Sequence, residues 1–551
     1  MQEHGDTLYK TALPVSILLL VVRTAVTQPP VEWLWSQGGS GDDFVNGVIE
    51  TNDKNYVFSG TSTSTDGDLA LTGNSGGRDA WIYKSDKTTG AILWSRHFGG
   101  TSNDQTWRAI QTANGELAAV GITSSSTIPG YHSGGELYLV KMDAGGVLQW
   151  QKCFGGNGED WGDNMVQAYN GNYIICGKTN TSNNGDLAGT VFNGGTSDLW
   201  IAEVDAAGAH TIISGRNRCF GGSGVEDFGC IARPVDGGYI ASCRTNSNNG
   251  MVSGNHGGYD SWILKLDSTL ALQWSKCYGG TGDDIVRNVF QDADGNYVLS
   301  GSTDSNDGDL PGMNIGSTDY WIFKIDSGGT HTVIWKKTLG GTLGEFALDA
   351  ARSNDGGYLI CGRSFSNDVN VGFSWGLGDC WIAKLNAANP AGPLDWEKSI
   401  GGTVYDGANW IIQASDGGIV VAGEGRSSDG DITGHNFHTP SLPAYEESYT
   451  FKFSAPTAVS INNHANEEKV IKIYPVLLGA SVVLRCADRH GLRMGEIELK
   501  LFDCLGREEM ADFVRTGDSF VFSRDDLKSR MYFYRLRRNG CRFASGKIVI
   551  N

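Results

Sequence analysis

Asp-Gly-Asp turns recur along this sequence, in "STDGDL" from Ser64, "SNDGDL" from Ser305 and "SSDGDI" from Ser427, with a shortened "NNGDL" around Asp186. Two carboxylates flanking a glycine bring hard oxygen ligands and a backbone carbonyl together, which is the donor chemistry calcium takes. The candidate cation ligands are therefore Asp66, Asp68, Asp186, Asp307, Asp309, Asp429 and Asp431, with calcium as the candidate cofactor. A local role competes with it: Asp and Asn side chains bond nearby backbone N–H groups and hold turns. A residue recurring in unit after unit serves what every unit needs, and "SSSTIPGYHSGGE" from Ser124 lacks the phrase.

A second acidic set follows Gly-Gly pairs and reads as a ring of Asp43, Asp104, Asp160, Asp227, Asp284, Glu345 and Asp406. One long loop adds His435 and His438 to Asp429, Asp431, Glu446 and Glu447, a candidate transition-metal group. Trp107, Trp161, Trp375 and Trp410 read as packing between repeats, with stacking on sugar rings as the functional alternative. No Gly-x-Ser-x-Gly elbow, His-Glu-x-x-His helix, P-loop or dinucleotide fingerprint occurs, so no catalytic residue is assigned.

The elements that position these residues follow from the repeat. The first glycines of the Gly-Gly pairs, Gly38, Gly99, Gly155, Gly221, Gly279, Gly340 and Gly401, are spaced by 61, 56, 66, 58, 61 and 61 residues. Each unit holds four β-like runs, as in "DIVRNVFQ", "NYVLSGST", "DYWIFKID" and "VIWKKTLGG", the first two joined by a tight Asp-Gly turn. Seven units of four antiparallel strands describe a seven-bladed β-propeller, all-β in class. The array enters with a lone outer-strand phrase, "VEWLWSQGG", and leaves after a third-strand phrase, "SYTFKFS". The N-terminal strand is thus expected to close the last blade and remove a sheet edge.

The phrase "SNDGDLPGMNIGSTDYWIFKID" and the following "VIWKKTLGG" resemble the Gly-rich propeller repeats of exported proteins from Bacteroidetes-type bacteria. "DKTTGAILW" from Asp86 is also similar to quinoprotein propellers, a likeness read as shared strand-turn-strand construction. After Ala455 the character changes: residues 456–468 read as a linker and 469–551 as a small β-sandwich. Tyr474-Pro475, Asp503-x-x-Gly506-Arg507, Met531-Tyr532-Phe533-Tyr534 and Gly546-Lys547 resemble the C-terminal sorting domain of the type IX secretion system. Val476-Leu477 and Ser529-Arg530 depart from that pattern. The resemblance implies the type IX machinery as a partner.

Residues 1–27, with Lys10 ahead of the apolar run Ala12 to Val22, read as a signal peptide, leaving the propeller at 28–455. No segment is expected to span a membrane in the mature chain. Cys153, Cys219 and Cys277 share one repeat position, and Cys176 and Cys361 another; residues a blade apart are too far for a disulfide and read as small buried hydrophobes. Of the formal charge of −19, residues 456–551 hold 16 Lys/Arg against 12 Asp/Glu, leaving 27 against 50 before them. So acidic a propeller would repel phosphates, which excludes a nucleic-acid partner. The expected protein is a secreted or cell-surface binding or scaffold module, reaching the outside through the periplasm and taking a glycan or protein ligand on its acidic face. The alternative is a carbohydrate-active hydrolase or lyase, or a quinoprotein-like oxidoreductase.

Overall fold

The computed structural model describes residues 28–69, 73–181, 183–432 and 446–455, together with strands between 472 and 550. The expected signal peptide and linker, along with His435 and His438, lie outside these residues. The chain divides into two units, Met1–Thr457 and Ala458–Asn551.

The first unit is a seven-bladed β-propeller of four-stranded antiparallel sheets. Blade 5 shows the pattern: an inner strand Asp284–Gln291, then Tyr297–Thr303, Asp319–Ile325 and an outer strand Val333–Leu339. The middle two strands are buried at every position because neighbouring blades cover both sheet faces. Their apolar residues accordingly do not alternate with solvent-facing polar ones, and the polar residues they contain, Ser300, Ser302, Thr303, Asp319 and Lys324, are buried as well.

The third residue of each third strand fills the gap between blades. It is Trp81, Trp200, Trp262, Trp321 or Trp381 in five blades, all fully buried, and Tyr138 or Tyr449 in the other two. Burying 150–250 Å² per ring at about 25 cal/mol per Å² gives each at most about 4–6 kcal/mol. Blade 7 closes as expected: Val31–Gln37 pairs antiparallel with Glu447–Phe453, with Trp35 opposite Thr450. Among the described residues, all eight cysteines are buried and free.

Six of the seven inner strands break register after their third residue, between Val45 and Gly47, Thr106 and Arg108, Gly162 and Asn164, Val286 and Asn288, Ala347 and Asp349, and Ala408 and Trp410. The fourth residue is a bulge, unpaired and re-aimed. The second strand meets the bulge with a glycine in six blades. At Gly301, for example, a Cβ would lie 1.8 Å from the Ile285 carbonyl oxygen, and Gly60, Gly121, Gly177, Gly362 and Gly423 repeat this close approach.

Blade 4 carries Cys243 at that place, and its pairing skips from Asp227 to Cys230. A side chain there forbids the close approach. The inner strand bows out over two residues instead, with Phe228 in the left-handed region at φ 58°.

The second unit contains two four-stranded antiparallel sheets. One orders Lys472–Leu478, Ser481–Ala487, Ser519–Ser523 and Phe513–Thr516; the other orders Glu508–Glu509, Ile497–Phe502, Arg530–Arg538 and Cys541–Ile550. Tyr534 pairs with Gly546 and Phe533 with Lys547, so two of the sorting-like phrases sit side by side. Asp503, Gly506 and Arg507 lie outside the described residues.

Candidate functional site

The acidic residues singled out from the sequence build the blade junctions. In each unit the second glycine of the Gly-Gly pair donates its N–H to a carboxylate four residues on: Gly39 to Asp43 at 2.8 Å, Gly100 to Asp104 at 2.7 Å, Gly156 to Asp160 at 2.7 Å, Gly280 to Asp284 at 2.6 Å, Gly341 to Glu345 at 2.7 Å and Gly402 to Asp406 at 2.8 Å. In blade 4 the partner is Glu226, at 3.0 Å from the Gly222 nitrogen. The expected Asp227 is instead the next residue, where it makes a two-pronged ion pair with Arg244 at 2.5 and 3.2 Å. The constant offset of four from the second glycine would have identified Glu226.

The Asp-Gly-Asp turns clamp the same crossover from the neighbouring loop. Asp66 accepts the Ser40 N–H at 2.7 Å, Asp307 the Thr281 N–H at 2.7 Å and Asp429 the Thr403 N–H at 2.7 Å. Asp68, Asp186 and Asp309 accept from Gly38, Gly155 and Gly279 at 3.3, 3.3 and 3.1 Å. Asp431 accepts from the indole of Trp375 at 3.2 Å. All seven candidate ligands thus face N–H donors, and no group of three or more His, Cys, Asp or Glu placed for a metal occurs among the described residues. Glu446 and Glu447, expected beside the two histidines, bond Arg426 and Ser36 respectively.

The chemistry that does not repeat lies in the central channel, where a cavity of about 420 Å³ is walled by the bulged inner strands. Its volume is in the ordinary range for small-molecule sites. At the fourth strand position the blades carry Asn46, Trp107, Asp163, Gly229, Arg287, Leu348 and Asn409 in turn, seven placements using six residue types. Trp107 and Trp161 line this cavity, which corrects their reading as packing between blades, whereas Trp410 both lines it and packs against the core between blades 7 and 1. Trp375 lies outside the channel, 44% exposed.

The fifth position forms a belt from blade to blade. The Asn164 amide donates to the Cys230 sulfur at 3.2 Å, the Cys230 thiol to Asn288 Oδ1 at 3.7 Å, and the Asn288 amide to Asp349 and to the Ala350 carbonyl at 2.8 Å. Asp349 in turn accepts the Ile411 N–H at 3.0 Å. Burial pushes Asp349 up to about 7, against the lowering effect of that N–H and of nearby Arg108. Blade 1 contributes Gly47, whose Cβ would meet the Trp107 carbonyl oxygen at 3.0 Å.

Charge on the wall is unevenly paired. Arg363 bonds Glu424 at 2.6 Å, lying across Gly407, where a Cβ would sit 2.6 Å from its Nε. Arg108 stacks on Trp410 at 3.9 Å and Arg287 on Phe228 at 3.6 Å, and neither makes an ion pair among the described residues. Burial pulls Arg287 down to about 10, with Arg244 adding repulsion, and lowers Arg108 as well. Asp163 accepts the Gly229 N–H at 2.8 Å, and burial raises it to about 6.

No protein-family model matches the chain. No curated protein matches it either. Among solved structures, a protein of unknown function from Dyadobacter fermentans shares 12% identity over 77% of this chain and 98% of its own, with a TM-score of 0.37. The polysaccharide lyase Uly1 shares 8% identity over 77% of this chain and 99% of its own, TM-score 0.41. A quinohemoprotein alcohol dehydrogenase from Pseudomonas putida shares 12% identity over 82% and 79%, TM-score 0.37. At scores and identities this low, none of them bears on the activity of this chain.

Proposed function

We propose that the protein is a binding module whose ligand site is the channel cavity, carried outside the cell, released or surface-attached, by its C-terminal unit acting as a type IX sorting domain. One observation supports the site above others: the wall varies from blade to blade in charge and polarity, where the same strands always begin with a carboxylate and are apolar at their sixth and seventh positions. A ring of near-identical blades needs no such variety to fold, whereas an asymmetric ligand does need an asymmetric wall. The export half of the reading rests on the sequence resemblance alone.

Screening the full chain and Trp161→Ala on glycan and protein arrays tests the site. A ligand lost with the substitution, at unchanged melting temperature, supports it; a ligand held equally by both proteins moves the site elsewhere. Removing residues 469–551 should retain the propeller in the periplasm, and normal appearance outside would defeat the sorting reading.

An enzymatic reading has one observation in its favour. Asp163, held near 6 by burial, is suited to act as a general acid or base near neutral pH. Turnover of a polysaccharide by the parent, abolished by Asp163→Asn, would make the cavity an active site for a hydrolase or lyase.

A further inference from the structure

We infer that the cavity takes an acidic sugar, a small polyhydroxylated carboxylate of the uronate class; this rests on the channel being the ligand site. Two independent features of the wall point there. The first is charge. Among the described residues Arg108 and Arg287 make no ion pair, in a chain whose residues 1–455 carry 27 Lys/Arg against 50 Asp/Glu. Desolvating a cation without a partner is unfavourable, and the cost persists unless something negative arrives. Glu424 is committed to Arg363 and Asp227 to Arg244, while Asp163 is turned to a backbone N–H. An arriving carboxylate supplies what the wall lacks.

The second feature is a set of shielded polar atoms with no hydrogen-bond partner among the described residues: Arg108 Nη1, Trp107 Nε1, Arg363 Nε and Asn164 Oδ1. All four belong to residues lining the cavity. Three are donors and one is an acceptor. A fully deprotonated oxyanion such as sulfate offers acceptors only and would leave Asn164 Oδ1 unsatisfied. A sugar acid brings a carboxylate for the guanidiniums, ring and hydroxyl oxygens for the remaining donors, and a hydroxyl proton for the amide oxygen. The indole faces of Trp107 and Trp161 offer the apolar surface on which the C–H face of a pyranose lies.

Arg287 gives the cleanest test, since among the described residues it makes no hydrogen bond whose loss would unfold the ring. Calorimetric titration of the full chain with a panel of uronates and short oligouronates should show binding, with methyl esters of the same compounds weaker by roughly thirtyfold or more. Arg287→Gln should lose affinity for the free acids by a similar factor, and Arg287→Lys should keep part of it. Arg287→Gln should also melt at a higher temperature than the unliganded parent, a gain that a merely structural arginine would not give.

Esters binding as tightly as acids, or an Arg287→Gln protein with parental affinity, would overturn the acidic class. If Trp161→Ala still abolished binding, the cavity itself would stand. Sulfate or phosphate binding as tightly as the uronates would replace the sugar with a free oxyanion, and a panel with no binding at all would reject the inference.

Discussion

The blade junctions and the channel wall are built from the same seven inner strands, a few residues apart, yet they follow opposite rules. At the first position every strand has a carboxylate that closes on a glycine N–H four residues back, and each is fully buried. At the fourth position, past the bulge, the residue is asparagine, tryptophan, aspartate, glycine, arginine or leucine according to blade. The junction solves a problem common to every blade, and each of its carboxylates closes on a glycine N–H, although Asp43 Oδ1 and Asp160 Oδ1 keep no hydrogen-bond partner among the described residues. What sets the wall apart is its buried cations: Arg108 and Arg287 make no ion pair among the described residues, which a fold optimised for stability alone would not keep. Repetition therefore marks what holds the ring, and its failure marks the wall proposed to hold a ligand.

Closure gives the largest expected effect. Deleting Val31–Gln37 strips blade 7 of its outer strand, exposes the edge of Glu447–Phe453 and removes buried Trp33 from the core between blades 7 and 1. Trp33→Ala alone should cost about 3–5 kcal/mol. The deletion should abolish a single cooperative melt by circular dichroism. A truncated protein melting like its parent would show that the strand is dispensable.

Asp284→Ala and Asp163→Ala set junction against wall directly. Asp284 accepts from the Gly280 N–H at 2.6 Å, the Ser305 hydroxyl at 2.7 Å and the Thr303 hydroxyl, so its loss orphans three buried donors. About 3–5 kcal/mol of destabilisation is expected in urea unfolding. Asp163 accepts one N–H and carries a charge that burial disfavours. Its removal should cost about 1 kcal/mol or less. Equal losses would erase the distinction between the two regions.

The fold was legible in the sequence because its determinants are local and repeated: Gly-Gly spacing, Asp-Gly turns, and the unmatched strand phrases at the two ends. The channel was not, for a physical reason. A bulge breaks the two-residue alternation, so a residue such as Arg287 cannot be assigned to the channel from period alone. The signal available was comparative: aligning the strands would have shown Asn46-Gly47, Trp107-Arg108, Asp163-Asn164 and Arg287-Asn288 varying in charge and polarity between a recurring leading carboxylate and recurring apolar sixth and seventh residues. In blade 4 the exchange of the usual glycine for Cys243 announced a deformed strand, though the direction in which Phe228 would swing needed coordinates.

The junctions also predict an unusual pH profile. Burial raises Asp43, Asp79, Asp160, Asp198, Asp284, Asp319 and Asp406 to about 6 from an ordinary 3.8. A folded state that binds protons more tightly than the unfolded chain is favoured at low pH, so this contribution is full below about 4 and is lost as pH rises through about 6. On the opposite ends of the strands, hydrogen bonds from Gln149 and then Lys141 hold Glu116 down at about 2, and Lys84 holds Asp53 below its ordinary value against burial. Those contributions are lost as pH falls below about 4. Stability should peak between about pH 4 and 5 and decline by on the order of a few kcal/mol toward pH 7, read from urea midpoints. A maximum at neutral pH would mean that the junction carboxylates are not held near 6.

The smallest effect is expected where the sequence first suggested a metal. Asp307 accepts the Thr281 N–H at 2.7 Å and its hydroxyl at 3.0 Å, and Asp309 accepts the Gly279 N–H at 3.1 Å. Those bonds hold Asp307 below its ordinary value. Asparagine keeps an acceptor oxygen in the same place. If turn geometry is the whole role, Asp307→Asn with Asp309→Asn should leave the urea midpoint close to the parent's, since charge-assisted bonds become neutral ones at an exposed site. Neither protein should then change melting temperature when chelator replaces calcium. If the loops bind calcium, the parent should contain it by elemental analysis and melt at lower temperature in chelator, because a ligand held only by the folded state stabilises it by mass action. The double variant should lose that response. A calcium-dependent parent would place a second kind of ligand at the junctions and end the division in which only the wall binds. A chelator-indifferent parent would leave the Asp-Gly-Asp phrase as the device that bonds the loop of one blade to the crossover leading into it.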